Sequence, residues 1–290
     1  MKVGEVYLPS SKFGTKAIVI LAIEILTIVP LLAIGYSYAI NFMPVIYFNF
    51  ITCAVFGIAL GLLSYPVVKY GHIVGYRNEL LCMIIIWFFS MIFQWSAFMA
   101  IVIRTSFAEI EEVSFFSNFF YYLLHPVTLV QDMYEVSLYG LWSIGSITFK
   151  DIGLWAVWFV EAVIIFIAMW QTNRKWSIFP YSQVENSWFP ENKLPRKMPL
   201  HRGFGTFLNG LKDNNMEAFT GIAYSNIDSR EFTEIAIYST RNDTNAYLAF
   251  YNQQLKTGKD GQKEEEYKRA SDFYCITPEQ KEILINHFSS

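Results

Sequence analysis

The stretch that decides the fold is Ile152–Trp170, IGLWAVWFVEAVIIFIAMW, an apolar run with a single carboxylate, Glu161, near its middle. At about 1.5 Å per residue the run reaches roughly 28 Å, close to the thickness of a bilayer's hydrocarbon core. It reads as a last membrane crossing. Arg174, Lys175 and Trp176 follow at once, the basic and aromatic anchor expected at a cytoplasmic interface. Everything before the run reads as membrane, and everything after it as water-soluble.

Composition agrees. Hydrophobic residues make up 53% of the 290 and charged residues only 16%, outside the range of ordinary soluble proteins. The formal charge of −3, with no basic stripe, gives no sign of nucleic-acid binding. Cys53, Cys82 and Cys275 have no short spacing between any two, so neither a disulfide framework nor a thiolate metal site is supported. They read as small buried hydrophobes, and no cofactor or metal is expected.

Working outward, three earlier spans precede this one, at about residues 17–40, 44–68 and 80–103. The first contains Glu24 and Pro30, and a kink is expected at the proline, which lacks an amide hydrogen. The second opens at Pro44 and carries Gly57 and Gly61, a GxxxG step that lets a neighbouring helix approach closely, within the bundle or across a dimer. Basic residues set the orientation. Lys2, Lys12, Lys16, Lys69, Arg77, Arg174 and Lys175 fall on one side of the spans and only Arg104 and Lys150 on the other. The richer side is cytoplasmic by the positive-inside rule, so both termini are expected in the cytoplasm and residues 104–150 outside.

That external loop is acidic, with Glu109, Glu111, Glu112, Asp132 and Glu135, and strongly aromatic. Phe115, Phe116, Phe119, Phe120, Leu123 and Leu124 recur with helical spacing on one face, a stripe suited to an interfacial helix that Pro126 ends. A second helix is expected over about residues 127–138. Residues 1–176 thus form an all-α transmembrane domain of four helices.

Residues 177–203 contain Pro180, Pro190, Pro195 and Pro199 and read as an extended linker. From Phe204 the pattern is that of a small α+β domain, residues 204–290, ordered α-β-β-β-α around an antiparallel sheet. Its strands are expected at 232–240, 246–256 and 265–276, with a turn at Gly258–Gly261 and a charged turn at Asp228, Arg230 and Glu231. Thr277-Pro278-Glu279-Gln280 is a helix start, with a threonine cap, proline at the first helical position and glutamine three residues on.

The stretch Pro180-Tyr181-Ser182-Gln183-Val184-Glu185-Asn186-Ser187-Trp188 resembles one in uncharacterised bacterial four-pass inner-membrane proteins, in which a proline-aromatic-CxxC-xx-Trp stretch follows the last span. Ser182 and Glu185 stand where the cysteines would be. The resemblance implies the same plan of four spans, an aromatic external loop and a small cytosolic domain. It implies no activity.

For chemistry, Glu24 and Glu161 stand out as carboxyls well inside the spans, where charge is costly and usually faces a bundle interior or cavity. Counted from the inner ends of their spans they fall at nearly the same depth, so a proton or cation shared between them is one expectation and two neutral packing carboxyls the other. Asn49 and Gln94 read as interhelical polar contacts. The soluble domain contains no catalytic set: His201 and His287 lack ligand-spaced neighbours, and Gly203 and Gly205 lack the rest of a nucleotide fingerprint. The preferred reading is a non-enzymatic, membrane-anchored interaction or sensing module of the inner membrane. Its expected partners are the bilayer, a protein at the cytosolic domain and further copies of itself. The alternatives are a proton, cation or solute transporter or channel subunit using Glu24 and Glu161, and a lipid-acting enzyme.

Overall fold

The first apolar run folds as two helices, α1 (Thr15–Leu26) and α2 (Ile28–Phe42), interrupted at Thr27. The interruption precedes Pro30 for a steric reason. The proline ring excludes the carbonyl of Leu26, four residues back, and a proline in the first turn of α2 needs no amide hydrogen. Thr27 closes the gap, donating from its Oγ1 to the Ile23 carbonyl at 2.6 Å.

The structure, a computed structural model, describes residues 2–42, 46–107, 114–144, 147–173, 176–222, 230–257 and 262–289. Pro44, Glu109, Glu111, Glu112, Arg174, Lys175, Asp228 and the 258–261 turn lie outside them. The chain divides into two units, Ser11–Ser177 and Met1–Ser10 with Ile178–Ser290.

In the first unit α3 (Ile46–Gly71) and α4 (Tyr76–Phe107) follow, then α5 (Phe115–Leu124), α6 (Pro126–Tyr139), a short hairpin of β1 (Trp142–Ile144) and β2 (Ile147–Phe149), and α7 (Asp151–Thr172). Four helical stretches, Thr15–Phe42, Phe48–Gly71, Tyr76–Thr105 and Asp151–Thr172, are long and apolar enough to cross a membrane, which makes this a multi-pass membrane protein by length and composition. Helix α3 lies between α1 and α7, and α2 packs on α4. The aromatic stripe of α5 divides. Phe115 and Phe119 turn inward onto Tyr38 and Phe93, while Phe116, Phe120 and Leu124 are exposed. Two adjacent apolar positions per turn span more arc than one packing partner covers.

The second unit is built on an antiparallel sheet with more strands than the three expected. Its long strands β7 (Phe232–Ser239) and β8 (Ala246–Thr257) pair along their lengths. The outer edge of β8 takes β9 (Lys263–Arg269) on one half and β10 (Tyr274–Ile276) on the other, so the expected third strand is broken over residues 270–273. The segment expected as a linker is not extended chain. It forms a small hairpin, β3 (Tyr181–Ser182) with β4 (Ser187–Trp188), and then β5 (Glu191–Lys193) and β6 (Met198–Pro199), which both join the outer edge of β7. Prolines misled the reading because they are tolerated on a sheet edge, where a missing amide hydrogen faces outward. Met198 and Leu194 are fully enclosed.

Both faces of this sheet are buried over β7 and the first half of β8. Ile235, Ile237, Leu248 and Phe250 point to one side, under α8 (Gly205–Lys212), α9 (Glu217–Thr220) and α10 (Pro278–Phe288). Ala236, Tyr238, Tyr247, Ala249 and Tyr251 alternate to the other, against Tyr7, Phe189 and Phe273. The chain's first residues complete this unit. Gly4 and Tyr7 donate backbone bonds to Cys275 (2.8 Å) and Phe273 (2.7 Å), and Cys275 donates to Glu5 (2.9 Å). Helix α10 starts as expected: Thr277 Oγ1 accepts from Gln280 N and Gln280 Oε1 accepts from Thr277 N, each at 3.1 Å.

Candidate functional site

The candidate site lies in the seam between α3 and α7, and small residues create it. A Cβ on Gly57 would run into the Ile165 backbone, and one on Gly61 would lie 2.7 Å from the Met169 carbonyl oxygen and 2.8 Å from Thr172 Cβ. Both pairs share the same offset along the chain, so α3 and α7 run in the same direction at close approach. The structure thus uses Gly57 and Gly61 within the bundle. One turn before Gly57 on this face is Cys53, and one turn before Ile165 is Glu161. Helix α7 buries Leu154, Trp158, Glu161, Ile165 and Met169 as one stripe, so Glu161 occupies a position that periodicity reserves for an apolar residue.

Glu161 is 4% exposed, and its Oε1 has no hydrogen-bond partner among the described residues. Tyr36 of α2 reaches the same place: its Oη is 3.1 Å from Cys53 Sγ, and its ring stacks on Phe56 at 4.5 Å. Both Tyr36 and Cys53 are within electrostatic range of Glu161. Asn49, one turn further up the same face of α3, is 2% exposed, and its Oδ1 also lacks a partner among the described residues.

Glu24 is elsewhere. Helices α1 and α2 run antiparallel to α3, with Gly71 against Ala17 at one end and Tyr36 beside Cys53 at the other. That register puts Glu24 level with Ser64, eleven residues along α3 from Cys53, or about 16 Å at 1.5 Å per residue. Consistently, Glu24 is within electrostatic range of Cys82, in the second turn of α4. The expectation of equal depth therefore fails. Its reason is a displacement of α7: Thr172, the last residue of that helix, meets Gly61, whereas α3 continues to Gly71. Counting from span ends assumed that all inner ends share one plane. Glu24 is 5% exposed, with Oε2 unpartnered among the described residues.

Gln94, 3% exposed, contributes its backbone to an interhelical contact, accepting from Ser37 Oγ at 2.9 Å. A third buried carboxyl escaped the sequence reading. Glu79, 1% exposed in the first turn of α4, accepts a bond from the fully buried Ser177. The available signal was an acidic residue just inside a helix start, where the helix dipole favours it.

In the sheet unit the buried polar groups bond to one another. Tyr238 Oη donates to Glu191 Oε1 at 2.7 Å and lies 2.6 Å from Tyr251 Oη. Burial, with smaller contributions from those two neighbours, drives the Tyr238 hydroxyl far above its ordinary range, and burial pushes Tyr251 up to about 12. Asn252 accepts from Thr233 and donates to the His201 carbonyl, and Gln280 donates to the Leu211 carbonyl and Asn214. Ser182 Oγ donates to Asp243 Oδ2 at 2.7 Å, and Glu185 Oε1 accepts from Asn242 N at 2.8 Å. Ser182 and Glu185 thus tie the β3–β4 hairpin to the 241–245 turn. Among the described residues no group of three or more His, Cys, Asp or Glu is placed to hold a metal ion.

No family model matches the chain, and neither a curated protein nor a solved structure does.

Proposed function

We propose that this protein is a membrane-anchored interaction or sensing module, in which the bundle positions a sheet unit on the cytoplasmic side of a bacterial inner membrane. The observation that carries the reading is the backbone pairing of residues 4–7 with residues 273–275. Chain ends bonded to each other lie on one side of a bilayer, which requires an even number of crossings, as four spans give. The pairing also means that the sheet unit is tied covalently to the bundle twice, through α1 and through α7. The excess of basic residues on the same side supports the cytoplasmic assignment.

Binding rather than catalysis fits the sheet unit, because its buried polar side chains are engaged in holding strands and turns together. Its outer strand β9 offers a surface. Tyr267, 41% exposed, stacks on Tyr251 with centroids 5.5 Å apart, and Lys193 Nζ lies 4.5 Å from the Tyr267 centroid. Tyrosine flanked by charge is a common anchor in protein interfaces.

The test uses the full chain in its native membrane, with a photo-crosslinking side chain introduced at Tyr267 and, in a second variant, at the exposed Phe159 of α7. Protein adducts are expected at Tyr267 and lipid adducts at Phe159. Lipid adducts or none at Tyr267 would refute the interaction reading. A fragment of residues 200–290 is unsuitable, since it lacks β3 to β6 and the amino-terminal pairing.

A further inference from the structure

We infer that Glu161 is a proton-binding site built into the α3–α7 seam, acting alone and not as half of a pair with Glu24. The inference rests on the sensing reading above only for what the proton would report. The site itself rests on geometry.

Glu161 is 4% exposed and sits about 15 Å from either end of α7 at 1.5 Å per residue. Four helices supply the described groups around it. From α2 comes Tyr36 and from α3 Cys53, whose hydroxyl and thiol are engaged with each other. Helix α4 presents Trp87, which donates to the Ala162 carbonyl at 3.2 Å, and its charged residues Arg77, Glu79 and Arg104 lie towards its two ends. Helix α6 meets α7 near Trp155. There Trp155 donates to Ser137, while Asp132 of α6 accepts from Tyr122 of α5 and Glu135 is exposed.

Among the described residues no cation faces Glu161 from these elements, and the buried oxygens Glu161 Oε1 and Asn49 Oδ1 are acceptors without a donor. Among the described residues the seam gives Glu161 Oε1 neither a donor nor a positive charge. A proton on Glu161 supplies both: it neutralises the carboxylate and makes one of its oxygens a hydroxyl donor. A metal cation would need several oxygen ligands converging on it, which one carboxyl and one amide do not provide.

Losing that proton leaves an unpaired charge facing the Cys53–Gly57 surface, one turn from the backbone contact of Gly57 with Ile165. The charged form therefore opposes close packing of α7 on α3, and the neutral form permits it. Since α7 carries the chain to Ile178 and the sheet unit, protonation at Glu161 is linked to one of the two connections of that unit. Glu24 lies about 16 Å away along the bundle by register, at 1.5 Å per residue, so the two carboxyls do not share a proton.

The experiment is pH-difference infrared spectroscopy of the full chain in lipid nanodiscs, comparing the parent with Glu161→Gln and Glu24→Gln. The parent is expected to lose a carboxylic-acid C=O band from an apolar environment as pH rises. Glu161→Gln should remove a component of that band that Glu24→Gln leaves in place. A parent with no such pH-dependent band, or a band undiminished in Glu161→Gln, would overturn the inference. Should Glu161→Gln fail to fold, Glu161→Asp serves instead, with the band expected to shift in frequency; an unshifted band would count against the site. A band that is present without protein adducts at Tyr267 would leave the site standing and remove the sensing reading, and the reverse result would do the opposite.

Discussion

Replacing Tyr7 with alanine should detach the amino-terminal strand from the sheet while leaving the rest of the unit folded. Tyr7 is 7% exposed, meets Tyr247 edge to face with centroids 5.0 Å apart, and accepts a bond from the Tyr181 amide at 3.2 Å. Fully burying an aromatic side chain removes about 150–250 Å² from water, worth about 4–6 kcal/mol at about 25 cal/mol per Å². That is an upper estimate, because a detached strand still shields part of its surface. Allowing for this, Tyr7→Ala should cost the strand about 3 kcal/mol, and each 1.4 kcal/mol is about tenfold in an opening equilibrium. The readout is hydrogen exchange by mass spectrometry on the full chain. The Cys275 amide, which donates to Glu5, should exchange roughly 100-fold faster in the variant. Amides of β7, at the centre of the sheet, should be unaffected. Unchanged protection at Cys275 would refute the reasoning, and equal acceleration throughout β7 would mean that the strand is no separable element.

Two further outcomes are expected. Gly61→Leu should lower the thermal midpoint of the detergent-solubilised protein, by overpacking the α3–α7 seam at a cost of about 1–3 kcal/mol, whereas Gly35→Leu, where nothing lies within 4 Å, should not; equal midpoints would remove the close approach from the account. Asp243 is pushed up by burial but held below its ordinary 3.8 by the stronger effect of bonds from Ser182 and Asn245. A depressed carboxyl stabilises the fold above its unfolded value and loses that contribution as pH falls through its folded value, so acid unfolding followed by fluorescence from about pH 5 down to about pH 2 should be less steep in Ser182→Ala; identical acid limbs would contradict the assignment.

Sequence alone determined what depends on neighbours along the chain. The four spans follow from uninterrupted apolar length, the alternation in β7 and β8 from a period of two, and the start of α10 from a threonine, a proline and a glutamine at fixed spacing. All are local, so the linear order contains them. Only the tertiary structure decided what depends on register between distant segments. Pro199, which looks like linker punctuation, sits in an edge strand because β7 offers that edge. Residues 4–7 join a sheet formed more than 200 residues later because β10 leaves an edge open to them. Glu24 and Glu161 appear equally deep when each is counted from the end of its own span. Their separation is set by where α7 stops against α3, at Gly61, and that contact depends on two glycines thin enough to let the backbones meet.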